Sequence, residues 1–104
     1  MLSLLVNFNN FIKDDKIFLS GKKHGYFFYN KNYKDVFNSK HPLTLFIPEN
    51  IVVTSNFFHG LLFNYIKNFD NKSELLSFIN IDSLNGINKE EFFKMLNRSF
   101  KNYG

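Results

Sequence analysis

The stretch that decides the fold is residues 42–66, which read PLTLFIPENIVVTSNFFHGLLFNYI. A short apolar run between two prolines, residues 43–47, is typical of a buried β-strand. After a turn and a second apolar run, residues 51–53, the apolar side chains recur at spacings of one, three and four. That spacing predicts one buried face of a helix over about residues 56–68.

Two hydroxyl residues, Thr54 and Ser55, stand at the start of the predicted helix. Either is placed to be the N-cap, because a side-chain hydroxyl there accepts a hydrogen bond from a free backbone N–H of the first turn. Ser55 therefore has two interpretations: it starts the helix and does nothing else, or it is a regulatory position that a partner reads.

The chain downstream shows a second strand and a second helix. Residues 75–81, LLSFINI, predict the strand, and Asn88 is placed to cap a final helix in which Glu91 has capping-box spacing. Strand, helix, strand, helix implies a right-handed crossover and a sheet that is at least partly parallel. We therefore expect a single α/β domain over residues 1–104, a two-layer sandwich with a mixed, partly parallel sheet and helices packed on one face.

The N-terminal half is patterned less clearly. Residues 2–8 predict a first strand, and residues 20–25, which contain two glycines, predict a turn. Residues 26–40 fit a strand followed by a helical segment, with open boundaries.

Composition narrows the class of protein. The chain of 104 residues is 44% hydrophobic and 19% aromatic, including 15 Phe, which is enough buryable surface for a compact core. It has no Cys, which excludes disulfides and Cys-ligated zinc. No stretch approaches the ~20 apolar residues of a membrane span, and the first residues do not fit a signal peptide. We expect a cytoplasmic protein.

No catalytic or metal-binding pattern emerges from the sequence. His24, His41 and His59 lack the spacing of metal ligands. The adjacent acids Asp14-Asp15 and Glu90-Glu91 are expected to be solvated or helix-start charges rather than a catalytic dyad. A Gly-rich phosphate loop and a nucleophile elbow are also missing. We therefore expect no enzymatic activity, no cofactor and no metal.

Residues 43–47, the step Thr54-Ser55-Asn56 and the helix opening Phe57-Phe58 resemble the centre of the STAS domain (sulphate transporter and anti-sigma-factor antagonist). The closer resemblance is to STAS-like domains of unknown function. Residues 75–100, LLSFINIDSLNGINKEEFFKMLNRSF, are similar to that family's next strand and terminal helix.

In anti-sigma-factor antagonists, an Asp-Ser step at this helix start carries a serine that a partner kinase phosphorylates. The resemblance implies that Ser55 is the counterpart of that serine, with Thr54 in place of the Asp and Asn56-Phe57 in place of small residues. It also implies a kinase or ATPase-type regulator as the partner.

Phe63 departs from the apolar stripe of the predicted helix. It is expected either to be exposed beside a notch at Gly60, as in a protein-docking surface, or to pack beneath the N-terminal segment. His59, which lies on the same side of the helix, is expected to be an exposed surface residue rather than an acid–base or pH-sensing group.

The leading hypothesis is a non-catalytic STAS-like regulatory module that docks a protein partner through the start of the helix and is controlled by phosphorylation. The residues expected to carry the docking are Thr54, Ser55, Asn56, His59 and Phe63.

The alternative hypothesis is a small basic phage-type inhibitor or nucleic-acid-associated protein. It rests on the net charge of +4, the scattered Lys residues and three tyrosines, Tyr26, Tyr29 and Tyr33, as stacking groups. A third hypothesis is a homodimer formed by edge-strand pairing.

Overall fold

The computed structural model of the protein describes residues 3–13 and 17–100, and within them it confirms the expected α/β class. The strands are β1 (Leu4–Asn7), β2 (Phe18–Leu19), β3 (Leu43–Phe46), β4 (Val52–Val53) and β5 (Ile79–Asn80). The helices are α1 (Lys22–Phe28), α2 (Ser55–Ile66), α3 (Lys72–Leu76) and α4 (Gly86–Ser99). A 3₁₀ turn, Phe8–Phe11, follows β1, and a π-helical turn, Tyr29–Tyr33, continues α1.

The described strands form two small sheets rather than the single mixed sheet expected from the sequence. One sheet has the order β1-β3-β5 and the other pairs β2 with β4. Every pairing is parallel, with Leu4 opposite Leu43, Leu43 opposite Ile79, and Phe18 opposite Val52. Parallel neighbours require crossover connections, and the chain between β3 and β5 supplies one that contains α2.

α2 is the central helix of the molecule. It packs against α1 on one side and α4 on another, so apolar residues on most of its circumference are buried. Those residues are Phe57, Phe58, Leu61, Leu62, Tyr65 and Ile66. A helix that is apolar around most of its surface belongs in the middle of a core, and the predicted helix over residues 56–68 is confirmed with its first residue at Ser55.

Two glycines allow α1 and α2 to touch backbone to backbone. A Cβ added at Gly25 would overlap the carbonyl oxygen of Phe57, and one added at Gly60 would overlap the carbonyl oxygen of Lys22 and lie 2.8 Å from the backbone nitrogen of Tyr26. Gly60 is therefore buried inside the protein. The expectation that it forms an outward notch for another protein was wrong, because α1 occupies that space.

The segment around α1 also differs from the sequence prediction. The predicted turn over residues 20–25 shrinks to Ser20-Gly21, where Gly21 has a φ of 89°. α1 then replaces the predicted strand from Tyr26 onward. An apolar run of four residues does not distinguish a buried strand from a helix, and the close packing through Gly25 favours the helix.

The C-terminal elements are shifted from their predicted positions. Of the strand predicted over residues 75–81, only β5 is extended, because Asn71 caps α3 through the backbone N–H of Glu74 and draws Leu75 into that helix. α4 begins at Gly86 with Asn85 as its N-cap, so the assignment of the cap to Asn88 was wrong.

Replacing Gly60 by Ala should destabilise the protein by about 3 kcal/mol or more, because a new methyl group would be forced into the backbone of α1. Urea unfolding curves of Gly60→Ala and Gly25→Ala would measure the loss. Gly86→Ala is the matched control, since nothing lies within 4 Å of a Cβ at that position. Equal stability of Gly60→Ala and Gly86→Ala would contradict the backbone contact.

Candidate functional site

Thr54 is the N-cap of α2. Its hydroxyl oxygen accepts a hydrogen bond from the backbone N–H of Phe57 at 3.3 Å, with extended backbone at Thr54 itself. Of the two candidates in the sequence, Thr54 therefore does the capping. Ser55 becomes the first residue of the helix, and its side chain is left for other contacts.

Ser55 is tied to α4 by two hydrogen bonds. Its backbone N–H donates to Oε1 of Glu91 at 2.9 Å, and its hydroxyl oxygen accepts from Nη2 of Arg98 at 2.6 Å. The same guanidinium nitrogen donates to Oδ1 of Asn56 at 3.4 Å. The Ser55 hydroxyl is thus held by a cation from another helix, a contact that the sequence did not predict.

Glu91 completes this contact between the two helices. Oε2 of Glu91 pairs with the ammonium group of Lys94 at 2.9 Å. That pairing, followed by the hydrogen bond from the Ser55 N–H, lowers the pKa of Glu91 below its ordinary value. An ionised carboxylate at the first turn of α2 is favourable, because the free N–H groups there carry partial positive charge. The predicted capping-box role of Glu91 is therefore replaced by a contact to α2.

Asn88 holds the chain that leads into α2, and it is fully buried. Its Oδ1 accepts from the backbone N–H of Val53 at 2.9 Å, and its Nδ2 donates to the carbonyl of Ile51 at 2.8 Å. β2 bonds to the other side of β4, through the N–H groups of Val52 and Thr54. The Asn88 amide therefore supplies the donor and acceptor that a further strand would supply.

Phe63 lies on the outer side of α2 and is 38% exposed. The ammonium groups of Lys67 and Lys22 lie 4.3 Å and 5.5 Å from the centroid of its ring. The ring of His59, one turn earlier, is 5.4 Å from it between centroids. Cations over an aromatic face are attracted by its quadrupole, so these residues form an ordered cationic and aromatic surface. We call Lys22, His59, Phe63 and Lys67 the Phe63 surface.

His59 is half-buried, not the exposed residue that the sequence predicted. Burial lowers its pKa, and the nearby charges of Lys22 and Arg98 lower that pKa further. The imidazole therefore resists protonation more than an ordinary histidine does.

A cleft of about 490 Å³ adjoins the Phe63 surface between α2 and the end of α4. Its lining combines four apolar residues, three charged residues and two polar residues. They are Phe63, Ile66, Phe69 and Phe100; Lys67, Asp70 and Arg98; and His59 and Ser99. Five residues were predicted from the sequence to bind a partner, and four of them lie at this cleft or contact Arg98 in it: Ser55, Asn56, His59 and Phe63.

The three tyrosines proposed for nucleic-acid stacking do not form a shared platform. Tyr26 is 49% exposed, but Tyr29 is buried and Tyr33 stacks on Phe37 with ring centroids 4.8 Å apart. Burial raises the pKa of Tyr29 and of Tyr33. The expectation that all three are available for stacking was therefore wrong, since two of them contribute to the core.

A second, smaller cleft of about 310 Å³ lies between the 3₁₀ turn, β2 and α1, with Phe27 and Lys31 in its lining. The acids Asp14-Asp15 lie outside the described residues. Within the described ranges, no three His, Asp or Glu side chains are grouped to hold a metal ion.

Comparisons with protein-family models, with curated proteins and with solved structures found no match. Over residues 3–13 and 17–100, none of the helices has the length and apolar character needed to cross a membrane.

Asn88→Ala should lower the free energy of unfolding by roughly 2–4 kcal/mol, because it leaves the N–H of Val53 and the carbonyl of Ile51 buried without partners. Urea unfolding would measure this loss, and hydrogen exchange at Val53 should become faster. Asn97→Ala is the control: Asn97 bonds only to the exposed Lys72 side chain among the described residues, and a change within about 0.5 kcal/mol is expected. Similar losses in both variants would contradict the role of Asn88.

The lowered pKa of His59 should make stability depend on pH. Below the ordinary His pKa of 6.5 the unfolded chain binds a proton that folded His59 resists, so stability falls as the pH drops from 6.5 towards the folded pKa. Unfolding midpoints in urea between about pH 5 and pH 8 would show this slope. His59→Gln should flatten the slope and Lys22→Gln should reduce it. A slope identical in all three proteins would rule out this cause.

Proposed function

We propose that the protein is a small, non-catalytic regulatory module that docks a protein partner at the start of α2. The docking surface consists of Ser55, Asn56, His59 and Phe63, with Thr54 fixing the helix start beneath it. The observation that carries this proposal is Phe63, a large aromatic side chain 38% exposed at the edge of a cleft. Aromatic residues and Arg at well-packed positions supply most of the binding energy in protein interfaces.

The surface is also rigid, which favours docking. α2 is held by the Thr54 cap and by the Glu91 and Arg98 contacts from α4. Its other side is fixed by α1 through Gly60. A surface whose side chains are already ordered loses less conformational entropy when a partner binds.

Ser55 is the position at which the docking is proposed to be regulated. A phosphate there would be attracted by the N-terminus of α2 and by the guanidinium of Arg98. It would also be repelled by the carboxylate of Glu91, which accepts the Ser55 N–H. Phosphorylation would therefore weaken the hydrogen bond between the Ser55 N–H and Glu91 and strengthen the contact between Ser55 and Arg98. It would also add a charge of about −2 to the docking surface. The resemblance to STAS domains supports this role and a kinase or ATPase-type regulator as the partner.

A photo-crosslinking amino acid at Asn56 should capture a discrete partner from native lysate, whereas the same group at the exposed Asn30 on the π-helical turn should not. In the captured complex, Phe63→Ala with His59→Ala should weaken binding about tenfold or more. The thermal midpoint should change little, because neither side chain is in the core. Phe27→Ala is the matched control: Phe27 is 55% exposed and also lies beneath a lysine, Lys31.

Intact-mass analysis of the recovered protein tests the regulation. An added phosphate in the wild type that is absent from Ser55→Ala, together with loss of the crosslinked partner in Ser55→Asp, is the expected result. If the wild type carries no added mass and Ser55→Asp still crosslinks the same partner, regulation at Ser55 would be contradicted. Equal crosslinking at Asn56 and Asn30 would contradict the proposal that the start of α2 is a docking surface.

A further inference from the structure

The cations around the cleft form no ion pair with an acid in the part of the chain that the structure describes. Among residues 3–13 and 17–100, the ion pairs are Lys40–Glu74 and Lys94–Glu91, and Lys22, Lys67 and Arg98 take part in neither. The ammonium groups of the two lysines face the ring of Phe63, and the Arg98 guanidinium donates hydrogen bonds to neutral oxygens of Ser55 and Asn56.

The charge of Arg98 contributes to the lowered pKa of Glu91, so Glu91 is the acid of this chain that is a candidate partner for Arg98. Both of its oxygens are already used, one by Lys94 and one by the backbone N–H of Ser55. Arg98 has five N–H donors in a planar fork that suits a carboxylate. It therefore retains the capacity to bind an acid from outside the chain.

Apolar side chains form part of the lining of the cleft. Ile66 and Phe69 line it beside Phe63, and Asp70 is the carboxylate in the part of the lining that the structure describes. At about 490 Å³ the cleft is within the range of roughly 300–1,000 Å³ that binds small organic groups. An apolar side chain can enter it, while charged groups next to that side chain remain at the cationic rim.

We propose that the partner inserts an acidic peptide segment into this cleft, with one aliphatic or aromatic side chain against Ile66 and Phe69. Carboxylates on either side of that side chain pair with Arg98, Lys67 and Lys22. The inference rests on the docking function proposed above and names the chemistry of the partner at the same surface.

The geometry favours a peptide over nucleic acid. Stacking of a base requires an open aromatic face, and the face of Phe63 is already approached by Lys67 at 4.3 Å and Lys22 at 5.5 Å. A second copy of the chain fits less well than an acidic partner, because the formal net charge of +4 would be brought against a cationic rim.

The test is fluorescence anisotropy with labelled peptides of equal length. A peptide of Glu and Leu should bind at least tenfold more tightly than one of Gln and Leu, and also more tightly than one of Glu and Gly, which lacks the apolar side chain. Its affinity should fall as salt is raised, because exposed charges are screened. Backbone NMR shifts should change at Lys67 and Arg98.

Substitutions locate the binding. Arg98→Gln and Lys67→Gln should each weaken binding of the Glu–Leu peptide by threefold or more, and either one suffices if the other variant folds poorly. Lys31→Gln is the matched control, because Lys31 also lies over an exposed ring, at 5.8 Å from Phe27, but at the second cleft. An equal loss in Lys31→Gln would overturn the proposal, as would equal affinity for the Gln–Leu peptide.

If a single-stranded oligonucleotide binds more tightly than the Glu–Leu peptide and shifts the same NMR signals, the partner of this surface would be a nucleic acid rather than an acidic peptide. Failure of the peptide while crosslinking at Asn56 still captures a partner would overturn only the chemistry inferred here. Failure of both experiments would overturn the docking function as well.

Discussion

The backbone contact between α1 and α2, which Gly25 and Gly60 allow, is the constraint on which the rest of the structure depends. It brings the two helix backbones so close that a methyl group on either glycine would overlap the other helix. Because the backbone of Lys22 lies against Gly60, the side chain of Lys22 reaches the ring of Phe63 one turn further along α2. His59 is half-buried beside this packing, and burial, followed by the charges of Lys22 and Arg98, lowers its pKa. The glycine contact thus links the packing of α1 on α2 to the position of Lys22 at the candidate site.

The elements that could be predicted from the sequence are those whose pattern is local. β3 lies between its two prolines, and α2 has a clear apolar stripe and a Thr54 cap, so both were predicted to within two residues. α1 was not predicted, because the apolar run from Tyr26 is too short to show a period and its helical state depends on Gly25 meeting α2. α3 was missed for a similar reason: the Asn71 cap extends a helix into a run that locally resembles a strand.

Only the residues of the candidate site that lie on α2 were predicted from the sequence. Ser55, His59 and Phe63 follow one another at four-residue spacing, so their common side of α2 could be inferred from the sequence. Arg98, Glu91 and Lys22 are more than 30 residues away from Ser55 along the chain, and nothing local connects them to it. Asn88 carried one usable signal, a polar residue four positions before the buried Phe92 on the inner side of α4. Whether such an amide caps a helix or bonds to a strand depends on what packs against it.

The Asn88 amide has a further consequence for the edge of β4. The outer edge of a β-strand exposes donors and acceptors that can pair with another chain, and proteins usually blunt such edges. Here one side chain occupies the outer edge of β4, since both the N–H of Val53 and the carbonyl of Ile51 bond to it. This closes β4 to a homodimer by strand addition. A strand from another chain that paired at this edge would first have to displace a fully buried side chain from both hydrogen bonds.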